Sequence, residues 1–207
     1  MSERQAISSD VAFTPAVKAV QTRKGSREMY ANVEARGGWR TEIDENLAAF
    51  LAQTNSFYFA TASADGQPYI QHRGGPKGFI KILDKTTLAF ADYKGNRQFI
   101  TQGNLSENPK THIFVMDYAH RQRVKIWGEA RIVEDDAALL QSLMPKDYKA
   151  RPEQAILFRI SAWDTNCPQH IPQKFDADDV AGALAFRDER IAELEAEVAA
   201  LKGESAS

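Results

Sequence analysis

The chain has 207 residues, 43% hydrophobic and 26% charged, with a formal net charge of −2 and a pI near 6.1. That is enough apolar material for one globular domain with an appendage. It argues against a general nucleic-acid binder, whose phosphate contacts need a basic surface, but leaves room for a local basic pocket holding one small phosphate.

Cys167 is the sole cysteine, so no internal disulfide forms and a reducing compartment fits. The opening MSERQAISSD lacks the basic-then-apolar pattern of a secretion signal. No apolar run approaches the ~20 residues of a membrane span. The expectation is a cytoplasmic protein with neither membrane nor nucleic acid as partner.

In chain order, residues 1–12 read as loosely ordered. Residues 14–26 read as a helix capped by Thr14, with Pro15 in the first helical position and Gly25 at its end. A second helix spans 26–38, from Ser26 to the Gly37-Gly38 pair. A third spans 41–55 with Thr41 as cap, and Ile43, Leu47, Phe50 and Leu51 share one face. The texture then becomes that of strands. Residues 56–63 and 67–73 flank Asp65-Gly66, a strong hairpin signal. Residues 79–84 and 86–93 form a second pair. The segment 95–105 reads as a short helix broken at Asn108-Pro109. Residues 111–118 and 123–135 form a third pair, and Gly128 within it marks a bulge or a close backbone approach. A helix over 135–145 stops at Pro145, and 155–164 is the last strand.

Six or seven mostly antiparallel strands with peripheral helices give a mainly β fold, a small barrel. The expected organisation is N-terminal helices over 1–55, a barrel core over 56–175, and an amphipathic helix with tail over 176–207. In that last helix Leu184, Ile191, Leu194, Val198 and Leu201 keep a/d spacing, with Arg187 at the one polar seam position. Such a seam needs a cover, either the barrel of its own chain or a partner subunit.

Two short stretches concentrate cations and glycines. HRGGPKGF (72–79) carries His72, Arg73, Gly74, Gly75, Pro76 and Gly78; DYKGNRQF (92–99) carries Lys94, Asn96, Arg97 and Gln98. A phosphate monoester is well held by Arg, Lys and backbone N–H groups at a helix start. The glycines would admit a flat ligand against the backbone. The alternative is two solvated turns, and neither stretch matches a Walker loop or dinucleotide fingerprint. Of four histidines, His170 forms a C-x-x-H pair with Cys167, but a structural zinc needs four ligands, so no metal is expected. A loop over a ligand, with Asn166 or His170 in polar contact, is the better reading of that run. No Gly-x-Ser-x-Gly elbow occurs.

The ordered run GQPYIQHRGGPKGFIKILD, LAFADYKGNRQFITQGNLSENPKTHIFVMDY and RQRVKIWGEARIV resembles the pyridoxamine 5'-phosphate oxidase-related flavin-binding split barrels. NCPQHI (166–171) resembles the closing motif of one bacterial branch. The resemblance spans roughly residues 12–175 and stops before the C-terminal helix. It implies a six-stranded antiparallel split β-barrel that dimerises, with flavin mononucleotide (FMN) in two interface sites. It implies that the strand ending in Arg73 touches the flavin, that Gly74, Gly75 and Pro76 shape its face, and that His72 is a neighbour. Asn96, Arg97 and Gln98 match the phosphate-gripping turn. The better-known oxidases have Ser-Arg-Lys there, so Gln98 loses one cation, for which Lys94 would compensate. Arg123 matches a position that reaches the flavin across the dimer, with Lys125 and Trp127 near it on the same strand.

The family's Arg-x-His substrate clamp is missing, so vitamin B6 oxidation is not expected. What the resemblance implies is an FMN-dependent oxidoreductase acting on an unidentified small substrate, with no side chain named as catalytic. The alternatives are a non-catalytic flavin carrier or sensor, and a split barrel holding haem or a deazaflavin.

Overall fold

The computed structural model describes residues 7–165 and 168–204. The elements run α1 (Pro15–Lys24), α2 (Arg27–Ala35), α3 (Glu45–Ala52), β1 (Ser56–Ala62), β2 (Pro68–Gly74), β3 (Lys81–Ile82), β4 (Thr87–Tyr93), α4 (Ile100–Glu107), β5 (Lys110–Asp117), β6 (Gln122–Val133), α5 (Ala137–Leu143), β7 (Pro152–Thr165) and α6 (Ala177–Glu204). No helix among the described residues is long and apolar enough to cross a membrane. The chain divides into two compact units, Met1–Asp117 with Arg123–Cys167, and Tyr118–Gln122 with Pro168–Ser207.

The first unit is built on one sheet in the order β2-β1-β5-β6-β7-β4-β3. The fold is mainly β with peripheral helices, in the split-barrel class. Of the six or seven strands expected, seven form, against the six that the resemblance implies, because Lys81–Ile82, within the expected 79–84 strand, pairs with Leu88 and Ala89 as a two-residue edge strand. The sheet is not closed, and β2 and β3 form its two edges.

Alternation along β1 turns Phe57 and Phe59 inward, where they meet Phe79, Phe90 and Phe158. Phe57 lies edge-on to Phe90 at 5.1 Å and stacks on Phe79 at 5.7 Å. All five rings are essentially fully buried. Burying each contributes about 2–3 kcal/mol, with further gain from edge-to-face geometry. Leu47 and Leu51 of α3 close one side of this core, with Ile43 and Phe50 packed against it, so the expected helix face holds.

Thr14 caps α1 by accepting from Val17 N at 3.3 Å, and Gly25 ends it in the left-handed region. The Asp65-Gly66 turn closes the β1–β2 hairpin, with Gly66 N donating to Ser63 O at 3.0 Å. Three expectations shift. The segment before α1 is partly ordered, because Ser8–Val11 forms a 3-10 turn with Ser9 buried, and Ser8 Oγ donates to Trp39 O. The cap of α3 is Asp44, which accepts from Leu47 N at 2.9 Å, rather than Thr41. Ile43 N is tied to Lys85 O at 2.7 Å, so the helix cannot start earlier. Finally, α4 starts at Ile100 and not at 95, because Arg97 and Phe99 adopt left-handed backbone.

In the second unit α6 is one continuous helix with every residue of 177–202 exposed. The segment before it is held by Gln173 Nε2 donating to Ala119 O at 2.8 Å and by Lys174 Nζ over the Tyr118 ring at 4.7 Å.

Candidate functional site

The register of β2 on β1 sets Arg73 opposite Phe57, Gln71 opposite Phe59 and Tyr69 opposite Thr61. Residues paired across strands share a face, so these three polar side chains point to the core side, at the open edge of the sheet. There Arg73 Nη1 donates to Asp92 Oδ1 on β4, across the split. Gln154 Nε2 donates to Asp92 Oδ2 at 2.9 Å. The Arg73 side chain is only 12% exposed, and its Nε is buried with no hydrogen-bond partner. A buried donor left unmatched beside a cleft favours a ligand that brings an acceptor atom to it.

Beyond β4 the chain loops through 95–99. Arg97 has φ 62° and Phe99 φ 54°, uncommon for residues with side chains. Asn96 Oδ1 accepts from Gln98 N at 3.3 Å, which tightens the turn. Arg97 stands 3.6 Å from Glu153 and 5.3 Å from the centre of the Phe99 ring. Its side chain is 59% exposed, so that ion pair is weak and easily exchanged for another anion. Phe99 occupies the N-cap of α4 and offers no side-chain acceptor to the first-turn N–H groups. An anion-ready helix start, Arg97 and Arg73, whose Nε is buried and unmatched, therefore line one cleft with Asn96 and Gln98. This donor set fits a ligand with a phosphate and further acceptor atoms.

Of the remaining candidates, His72 and Gly74 line a neighbouring cavity with Gln71, Arg73 and Tyr93, and the others lie elsewhere. His72 is on the opposite face of β2, edge-on to Tyr58 at 5.8 Å. Lys94 does not line the cleft; its backbone N donates to Arg151 O at 2.9 Å. Gly74 follows Arg73 at the end of β2, and Pro76 O accepts from Phe79 N at 3.0 Å in the next turn. The space a side chain would need at Gly75 is filled by the Phe79 ring, 2.7 Å from where a Cβ would stand. Arg123 and Lys125 alternate with the buried Val124 and Ile126, so they face away from the core and outside the cleft. Asn166 and Cys167 lie outside the described residues, and His170 sits exposed with φ 64°.

Sequence reasoning missed Asp92, Gln154 and the polar pair Tyr69 and Gln71. The signal for the last two was present, since they share the parity of Arg73 along β2. It also missed an aromatic group on the outer face of the sheet. Trp39 stacks on Trp127 at 4.6 Å, His112 lies 4.8 Å from Trp127, and Lys125 Nζ sits over both indoles. His112 Nε2 is buried without a partner, and burial, aided by Lys125, lowers its pKa to about 4.

That depression has a signed consequence. Between pH 6.5 and about 4 the unfolded chain binds a proton at His112 that the folded chain refuses. The contribution is therefore complete above pH 6.5 and lost as pH falls towards 4, by at most about 3 kcal/mol. His112→Phe should flatten the fall in urea midpoint between pH 7 and 4.5 relative to the parent. Equal slopes in the two proteins would show that His112 protonates freely in the fold.

Among solved structures, the chain is similar to a single-residue variant of HupZ from Group A Streptococcus, at 21% identity and TM-score 0.45, covering 60% of this chain and 99% of that one. It is also similar to a putative pyridoxamine 5'-phosphate oxidase from Lactobacillus delbrueckii, at 22% identity and TM-score 0.46, covering 60% and 95%. An FMN-binding protein from Syntrophomonas wolfei shares 10% identity at TM-score 0.46, covering 70% and 97%. Comparison with curated protein sequences gives no match. The family model described as pyridoxamine 5'-phosphate oxidase matches residues 43–167, from the foot of α3 past the end of β7. That match takes in more than half of the chain and the whole sheet, and the chain belongs to the pyridoxamine 5'-phosphate oxidase family.

Proposed function

We propose that the protein is a cytoplasmic FMN-binding homodimer and an oxidoreductase for a small substrate other than a B6 vitamer. The observation that carries this reading is the convergence of Arg97, the uncapped start of α4 and Arg73, with its unmatched buried Nε, on one cleft. Arg97, Asn96 and the first N–H groups of α4 would hold the phosphate. Arg73, held by Asp92, would direct its Nε at an acceptor atom of the ring system. Gln71 and Tyr69 extend the same polar stripe and would orient the ring edge. When bound, FMN supplies the electron-transfer chemistry, and the protein supplies position and electrostatics. Arg123 and Lys125 face outward from β6, where they would serve the site of a partner subunit rather than their own. The exposed Tyr58 and Ile70 on the outer sheet face support an interface there.

The test is the visible spectrum of freshly purified protein, then identification of any cofactor released by heat. Stoichiometric FMN is expected. Arg97→Ala should purify as a dimer with its FMN largely lost, by about tenfold or more in affinity, since a charge-assisted contact of this kind is worth roughly 1.5–3 kcal/mol. Full flavin occupancy in that variant would sink the phosphate assignment. A released haem or deazaflavin would replace FMN in the reading, and bound FMN without turnover of any reductant would leave a carrier.

A further inference from the structure

We infer that α6 pairs in parallel and in register with α6 of a second copy of this chain, as a two-stranded coiled coil. The seam is regular. Leu184, Ile191 and Val198 occupy a positions, and Arg187, Leu194 and Leu201 occupy d positions. Leu184, Ile191, Leu194 and Val198 are 42–52% exposed, so the stripe runs along the helix uncovered. β-Branched residues at a with leucine at d, as in the last two heptads, favour two parallel strands over higher assemblies.

The flanking charges favour the parallel orientation. In a parallel pair each g residue faces the e residue five positions on in the other helix. Arg190 then meets the partner's Glu195, and Glu197 meets the partner's Lys202. Both contacts are attractive, and each recurs by symmetry. An antiparallel pair would set e against e and g against g, so its attractive Arg190–Glu197 contact is offset by the acids Asp188 and Glu195 brought together. Within one helix Arg190 pairs with Glu193 at 2.8 Å, a solvent-exposed contact of little worth that an inter-helix contact can replace. Arg187 at a d position weakens the N-terminal layer but lies beside Asp188, which can receive its charge across the seam. Three heptads are marginal on their own. Here the inference rests on the proposed dimeric barrel, which would tether the two helices at high effective concentration.

The test uses the full-length chain with Cys167→Ser to remove the native thiol. Leu184→Cys should then form a disulfide-linked dimer under mild oxidation about tenfold faster than Glu189→Cys, an outward f position. Equal rates, or no cross-link at either position, would overturn the pairing. Cross-linking only in a mixture of Leu184→Cys and Leu201→Cys chains would mean an antiparallel pair and overturn the register. Flavin content read on the same samples keeps this failure distinct from failure of the flavin reading, since a flavin-loaded dimer without the cross-link refutes only the coiled coil.

Discussion

Gly128→Ala should lower the stability of the protein by at least about 3 kcal/mol, a loss of roughly 10 °C in Tm for a chain of this size. Gly128 sits where β6 slips register against β7, between Trp127 and Gly128. A Cβ there would overlap the carbonyl oxygen of Arg159 and stand 2.7 Å from Cε1 and Cζ of Phe158. Neither neighbour can yield cheaply. The carbonyl belongs to the backbone of β7, and Phe158 is fully buried among the core phenylalanines. Relief requires β6 and β7 to part in the middle of the sheet, against a total stability of about 5–15 kcal/mol. Gly103→Ala is the matched control. Gly103 is in α4, nothing lies within 4 Å of its added methyl, and the change should stabilise by about 0.5–1 kcal/mol. Urea midpoints of the two variants should move in opposite directions. A Gly128→Ala protein with an unchanged midpoint would mean that the bulge relaxes without cost.

Much of this arrangement was legible in the sequence because period and punctuation agreed. Asp65-Gly66 announced the first hairpin, Gly128 the bulge, and Thr14 with Gly25 the limits of α1. Errors came where long-range contacts override local pattern. A backbone bond from Ile43 to Lys85 delays α3 until Asp44 caps it. Left-handed backbone at Arg97 and Phe99 delays α4 by a turn, and no local rule assigns such a conformation to an arginine or a phenylalanine. The cleft was half legible. Arg73 and Arg97 stood out as cations near glycine, but Gly75 makes room for Phe79. Asp92, the one charged residue of β4, is 19 residues from Arg73, and only the curl of the sheet joins them. His112 drew no attention because the indole it lies against, Trp127, comes from β6 and is stacked in turn on Trp39 from the segment before α3.

The joint between Arg73 and Asp92 gives the other large expected effect. Asp92→Ala should destabilise the protein by about 2–4 kcal/mol, because it leaves a guanidinium at a largely buried site without its counter-charge. The side chains are 12% and 15% exposed, so water screens the pair only in part. Gln154, itself buried, loses its acceptor in the same variant. Arg73→Met should cost less, since the Asp92 carboxylate keeps Gln154 and loses only one partner. If the two charges depend on one another, the double variant Arg73→Met with Asp92→Ala should be more stable than the summed single effects predict, by about 1–2 kcal/mol. Strict additivity would mean that the pair behaves as a surface contact and holds nothing in place. The flavin readout separates position from stability. If FMN is bound as proposed, Arg73→Met should lose it in the single and in the double variant alike, whatever stability the double regains, because the donor left unmatched at Arg73 Nε is gone from both. Asp92→Ala should retain FMN weakly, since the donor is present but no longer aimed.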